Sequence, residues 1–151
     1  MADSEILLAD GQHRPIRLAT DETAGRHTLK TTGGGSSGAS APTAFSRIAS
    51  SAASVNGTVA KASAGTLHQV TAYNTGAALR WLKIYNKASA PGAADVPVLS
   101  IALPPGTGFA LDFRGLAFAT GIAYQLVTGS ADNDTGAVAA AEIVGVNLGY
   151  A

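Results

Sequence analysis

Cysteine is absent from this 151-residue chain, which excludes disulfides and thiolate zinc sites outright. Charge is scarce as well. Asp, Glu, Lys and Arg supply 13% of the residues, about half the usual share, and they balance to a formal net charge of zero. Such a surface has no basic patch to neutralise phosphates, so nucleic acid is not an expected partner. It also leaves little repulsion between copies, which favours a protein held in an assembly. No apolar run is long enough to cross a bilayer. The first twenty residues, broken by Asp3, Glu5, Asp10, Arg14 and Arg17, hold no signal-type apolar region. Neither membrane contact nor secretory export is expected. Amphipathic helical periodicity is missing, and residues 137–141 offer at most one turn. No exact repeat of 20–50 residues points to a solenoid or propeller.

What is present is apolar residue content, 46%, enough for a real core. Residues 1–30 hold nine charges, five acidic and four basic, whereas residues 44–151 hold eleven in a much longer stretch. Between them lies a Gly/Ser-rich linker, residues 31–43, which Pro42 stiffens near its end. The sequence therefore divides into an extended arm (1–30), the linker, and a folded domain (44–151). The arm carries two short apolar clusters, Ile6-Leu7-Leu8 and Ile16-Arg17-Leu18, too brief to form a core alone. They could add as strands to another subunit's sheet, with backbone hydrogen bonds giving most of the adhesion. An unordered terminus is the alternative.

The remainder reads as short strands. Leu99, Ile101 and Leu103 alternate with small residues, and Phe109, Leu111 and Phe113 alternate with Ala110 and Asp112. Folded as a hairpin about Pro104-Pro105-Gly106, these pair Leu103 with Phe109, Ile101 with Leu111 and Leu99 with Phe113. Further strands are predicted at 45–50, 57–62, 66–73, 79–86, 115–119, 122–128 and 142–148, separated by Gly, Asn, Asp and Ser. The expected fold is all-β, an antiparallel β-sandwich or jelly roll.

Catalytic and cofactor motifs are wanting. His13 and His27 lie in the arm, and His68 lies in a strand on the parity of Val70 and Ala72, the pattern of a satisfied sheet residue. No Gly-x-Ser-x-Gly elbow presents a nucleophile. Gly33-Gly34-Gly35-Ser36-Ser37-Gly38 lacks the lysine of a phosphate loop. Asp132-Asn133-Asp134 could offer oxygens to calcium, but no glutamate stands at the twelfth position of an EF-hand loop. Plain turns use the same residues. The acids are too few and scattered to suggest a paired-carboxylate hydrolase. No enzyme, metal or cofactor is expected. One aromatic set stands out: a turn at Asn74-Thr75-Gly76 would bring Tyr73 near Leu79 and Thr71 near Trp81. Tyr73, Trp81, Lys83 and Tyr85 would then share a face. That face could stack a sugar ring or a partner subunit, or could simply pack across strands.

The stretch Thr66–Asn74, with Leu82-Lys83-Ile84-Tyr85-Asn86-Lys87-Ala88 and 97–113, resembles small structural proteins of tailed bacteriophages and prophages. The likeness covers residues 64–150, including Thr128–Asp132 and Val146-Asn147-Leu148-Gly149-Tyr150. Asp21-Glu22-Thr23-Ala24-Gly25-Arg26-His27 is similar to a segment near the start of many phage virion proteins, although Thr28-Leu29 follows here. The resemblance implies a virion component assembled in the bacterial cytoplasm: a capsid decoration (cement) protein, a head fibre or a tail-fibre piece. It implies other virion proteins as partners, the major capsid protein foremost, and a homo-oligomer, a trimer by preference. The competing expectation is a lectin-like receptor-binding module that uses Tyr73, Trp81 and Tyr85.

Overall fold

The computed structural model describes residues 41–51 and 54–151, together with the backbone of four short strands before them. The chain divides into two compact units, Met1–Gly38 and Ala39–Ala151. In the first, β1 (Leu8–Ala9) pairs with β2 (Pro15–Ile16), and β3 (Ala19–Asp21) pairs with β4 (Thr28–Lys30), both antiparallel. The arm residues Ile6, Leu7, Leu8, Ile16 and Leu18 belong to this unit, and their side chains lie outside the described residues.

The second unit is all-β. Its strands are β5 (Ala44–Ile48), β6 (Thr58–Lys61), β7 (Gly65–Asn74), β8 (Arg80–Asn86), β9 (Leu99–Leu103), β10 (Thr107–Phe118), β11 (Ile122–Val127) and β12 (Ile143–Tyr150). Each lies where period-two alternation predicts one, except that 109–113 and 115–119 are a single strand, β10. The strands form two four-stranded antiparallel sheets, ordered β10-β7-β12-β5 and β6-β11-β8-β9. No helix is present among the described residues.

The pairing differs from the expected local hairpins. β9 and β10 lie in different sheets: Leu103 faces Arg80 and Ile101 faces Leu82, while Phe109 faces Ala72 and Leu111 faces Val70. The turn at Pro104–Gly106, with Gly106 at a φ of 65°, carries the chain from one sheet to the other. Likewise β7 and β8 do not pair, so Tyr73 lies opposite Gly108 and Val144, and Trp81 opposite Ala102 and Val127. The inward parity survives for Leu103, which is buried, and for Leu99, Ile101, Phe109 and Phe113, which pack against the core. Leu111, expected in the core, is 39% exposed on the edge strand β10.

Pairs instead nest along the chain: β5 with β12, β6 with β11, β7 with β10, and β8 with β9. Only the β8–β9 connection stays within a sheet, and the other six of the seven connections cross. Crossing lets the inner faces of both sheets share one core. Leu67, Val70, Ile143, Val146 and Leu148 come from one sheet, and Leu82, Ile84, Leu103, Ile122, Tyr124 and Leu126 from the other.

A single buried side chain ties two of these crossings. Asn74, 0% exposed, donates through Nδ2 to the carbonyls of Ala78 and Leu103, both at 2.8 Å, and its Oδ1 accepts from the Gly76 amide at 2.9 Å. One amide thus anchors both the β7–β8 crossing and the end of β9. Beside it, Arg80 meets Glu142 at 2.7 Å, and the Thr75 amide donates to the Glu142 carbonyl at 2.8 Å. Burial alone would raise the Glu142 carboxyl. The hydrogen bond from Arg80, the Ala139 amide and the Arg80 charge outweigh it and hold the group below its usual range.

Asn74→Ala should destabilise the domain by about 2–4 kcal/mol, because buried backbone groups lose their partners. Asn74→Asp should be at least as damaging, since a carboxylate cannot donate to either carbonyl. Denaturant unfolding of the two variants measures this. A loss below that of a surface substitution would remove Asn74 from its anchoring role.

Candidate functional site

Each sheet has an outer face, and the two differ. On the β6-β11-β8-β9 sheet, the outer face carries Trp81, Lys83 and Tyr85 from β8, opposite Val127, Gln125 and Ala123 from β11. Period-two alternation aims these residues away from Leu82, Ile84 and Leu126, which face the core. Yet Lys83, Gln125 and Tyr85 are at most 1% exposed. Loops cover them. The Lys83 ammonium donates to the Ala131 carbonyl, drawing residues 128–137 down over the sheet. Gln125 Nε2 donates to the Tyr85 hydroxyl at 2.5 Å. Burial, with the nearby Asp95 charge, pushes the Tyr85 hydroxyl up to about 12, the Gln125 bond opposing and Asp132 adding to the rise.

The covering loops are organised by their own polar groups. In residues 128–137, Asp134 Oδ1 accepts from the amides of Gly129 and Gly136 at 3.2 and 3.0 Å. The cation drawn to this loop is the chain's own lysine, and it meets a backbone carbonyl rather than the aspartates. Among the described residues no cluster of three or more His, Asp or Glu side chains could hold a metal ion. In residues 87–98, Lys87 meets Asp95 at 2.5 Å. That hydrogen bond, with one from the Gly92 amide, holds the Asp95 carboxyl below its ordinary value.

The expected aromatic face therefore does not exist as one surface. Tyr85 is buried under loops, Trp81 is half-buried on the same sheet, and Tyr73 projects from the other sheet.

That other sheet, β10-β7-β12-β5, has an open outer face. Its rows read Phe45, Gly149, Gln69, Asp112; then Arg47, Asn147, Thr71, Ala110; then Val144, Tyr73, Gly108. Phe45 is 60% and Tyr73 43% exposed. Both rings lie across glycines: a Cβ on Gly149 would sit 3.0 Å from the Phe45 ring, and one on Gly108 2.9 Å from the Tyr73 ring. The centre is stitched by Asn147 Nδ2, which donates to Thr71 Oγ1 at 3.0 Å and to the Gly145 carbonyl at 2.9 Å.

At one end of this face the ladder breaks. β7 and β10 pair Gln69 with Asp112 and next Leu67 with Leu116, so Phe113–Gly115 bulge opposite His68. Arg114 and Gly115 take φ of 51° and 93°, and the Arg114 amide donates to Asp112 Oδ1 at 2.9 Å. The bulge opens a cleft of about 330 Å³ lined by Ala41, Pro42, His68, Gln69, Asp112 and Arg114. His68 is 6% exposed, with Nε2 3.1 Å from Thr66 Oγ1. It lines this outer cleft, and the break in alternation takes it off the core-facing parity of Val70 and Ala72 expected from the sequence. The one sequence signal for this site is Arg114-Gly115 inside a strand pattern, since an interior glycine often marks a bulge.

Two measurements test the covered face. In alkaline titration followed by tyrosinate absorbance, Tyr85→Phe should delete a component that ionises near pH 12. The fold favours neutral Tyr85, so its contribution to stability is complete below the unfolded pKa of about 10 and is lost as pH rises through the folded value. Lys83→Met should raise amide hydrogen exchange across residues 129–136 by roughly tenfold or more, because a charge-assisted bond to Ala131 is removed. Unchanged exchange there would mean that other contacts hold the loop.

No protein-family model, curated protein or solved structure matches this chain.

Proposed function

We propose that this chain is a non-enzymatic structural protein of a tailed-bacteriophage virion, a capsid-surface decoration (cement) or head-fibre protein. The observation that carries the proposal is the strand order. Nested pairs β5–β12, β6–β11, β7–β10 and β8–β9, split over two sheets, describe one long hairpin rolled upon itself. We read it as a jelly-roll β-sandwich, an architecture used by viral capsid and lectin domains. A fold alone does not assign a function. The likeness of residues 64–150 to phage structural proteins favours the virion. Two of the residues carrying that likeness, Asn74 and Asn86, have structural work: Asn74 ties the crossings, and Asn86 Oδ1 accepts from the Thr120 amide at 2.8 Å.

In this proposal residues 1–30 dock on the particle through Ile6, Leu7, Leu8, Ile16 and Leu18, by strand addition and apolar burial against the major capsid protein. The folded domain stands outward, and copies associate as a homo-oligomer, preferably a trimer. Low charge supports close packing of many copies. The second reading, a tail-fibre or lectin-like receptor-binding module, draws support from the open face of the β10-β7-β12-β5 sheet.

Truncation decides between docking by the arm and docking by the face. A chain lacking residues 1–30 should fold with an unchanged melting temperature, since the core cluster lies within the second unit. It should fail to co-sediment with particles that lack the protein, while the full chain binds. Equal binding by both forms would sink arm docking and shift attachment to the domain itself.

A further inference from the structure

The cleft beside the β10 bulge combines features that core packing does not require. Arg114 is exposed and adopts a left-handed φ of 51°, a conformation glycine would take with less strain. Backbone strain of this kind is typically kept where neighbouring groups hold it for a purpose. Here Asp112 Oδ1 holds it by accepting from the Arg114 amide. The cleft, at about 330 Å³, sits at the small end of the roughly 300–1,000 Å³ typical of ligand pockets.

Its lining determines what it could recognise. Arg114 only donates, Asp112 only accepts, and Gln69 and His68 do both. The guanidinium and carboxylate of Arg114 and Asp112 balance, so a phosphate or sulfate attracted to one is repelled by the other. A neutral polyol presents hydroxyls that donate and accept, and it can use all four side chains. Adjacent to the cleft, Gln69 and the Phe45 ring approach Gly149 from either side, where a Cβ would meet them at 2.8 and 3.0 Å. That absence of a Cβ leaves room for the Phe45 ring, on a residue 60% exposed, as an aromatic ledge across Gly149 from Gln69 of the polar pocket. A sugar ring has this same duality, an apolar face of C–H groups and a polar rim of hydroxyls.

We propose that the cleft formed by His68, Gln69, Asp112 and Arg114, with the Phe45 ledge, binds a neutral saccharide. This site differs from the Tyr73, Trp81 and Tyr85 set, and it stands whether or not the chain belongs to a virion. Its test is an amide chemical-shift titration of the full-length protein. The probes are a panel of neutral hexoses and N-acetylhexosamines, with inorganic phosphate and sulfate run in parallel.

Neutral sugars should move the amides of Gln69, Asp112 and Arg114 with millimolar dissociation constants. Phe45→Ala and Arg114→Gly should each weaken binding by roughly tenfold or more. Arg114→Gly relieves the left-handed strain, so its melting temperature should equal or exceed that of the wild type. Tyr73→Ala, two rows away on the same face, should leave binding unchanged. The proposal is overturned if no neutral sugar in the panel perturbs these amides. It is equally overturned if phosphate or sulfate alone does so, or if Tyr73→Ala abolishes binding while Arg114→Gly does not.

Discussion

The three hydrogen bonds of the Asn74 side chain set the threading of the domain. A buried amide with two donors and an acceptor can be fully satisfied only by groups that converge on it, and an unsatisfied one is expensive. Here the groups come from Gly76, two residues on from Asn74, from Ala78 at the start of the chain's path into β8, and from Leu103 at the end of β9. A hairpin of β7 with β8 would direct the turn differently and leave no reason for the Leu103 carbonyl to arrive. With the crossings fixed, β7 and β10 become neighbours in one sheet, β8 and β9 in the other, and the nested pairing follows outward to β5 with β12. The Arg80–Glu142 pair at the same end ties the start of β8 to the start of β12, so both sheets are pinned where the chain crosses.

Nesting also makes the two outer faces unequal. The connections after β8 and β11 are long, and they fold back over their own sheet, where Lys83 and Gln125 wait for polar partners. A lysine buried without an acceptor would oppose folding, so the loop carbonyl of Ala131 is a requirement of the sheet as much as a consequence of the loop. Connections around the other sheet are occupied elsewhere: the β7–β8 and β9–β10 turns bridge at the Asn74 end. The β10-β7-β12-β5 face is therefore left uncovered by the described loops. Its glycines at 108 and 149 leave room for the Tyr73 and Phe45 rings, on a face that also carries Arg47, Asp112 and, at the bulge, Arg114.

Strand positions were legible because period two reports which side of a sheet a residue faces. Partners were not, because the same alternation fits a hairpin and a crossing between sheets equally well. Leu99, Ile101 and Leu103 turn inward under either arrangement, so their pattern carried no information about β10. Neighbouring strands pair more often than not, which made the hairpin the natural expectation. Asn74 and the tight Pro104–Gly106 turn were visible as turn residues, but only three-dimensional convergence discloses what Asn74 binds. The aromatic site failed for the same reason: its grouping assumed a β7–β8 pairing that does not occur. His68 is a partnered strand residue, as its position suggests, but its parity was not legible, because one bulge interrupts alternation and the glycine that signals it, Gly115, lies on a different strand.

The balanced charge of the chain constrains how any outer surface can work. With 13% charged residues and no net charge, long-range steering contributes little, and contacts depend on short-range fit. A small open cleft that excludes little water gives weak affinity for a neutral sugar, because few hydroxyls exchange solvent for better partners. Weak sites gain strength only through repetition: presenting many copies at fixed spacing converts later contacts into intramolecular ones, at a high effective concentration. The docking arm proposed for residues 1–30 would supply that repetition on a particle surface. The same low charge that makes a single domain a poor binder lets copies sit close together without repulsion. Crowding on a surface and weak neutral recognition are thus compatible consequences of one composition.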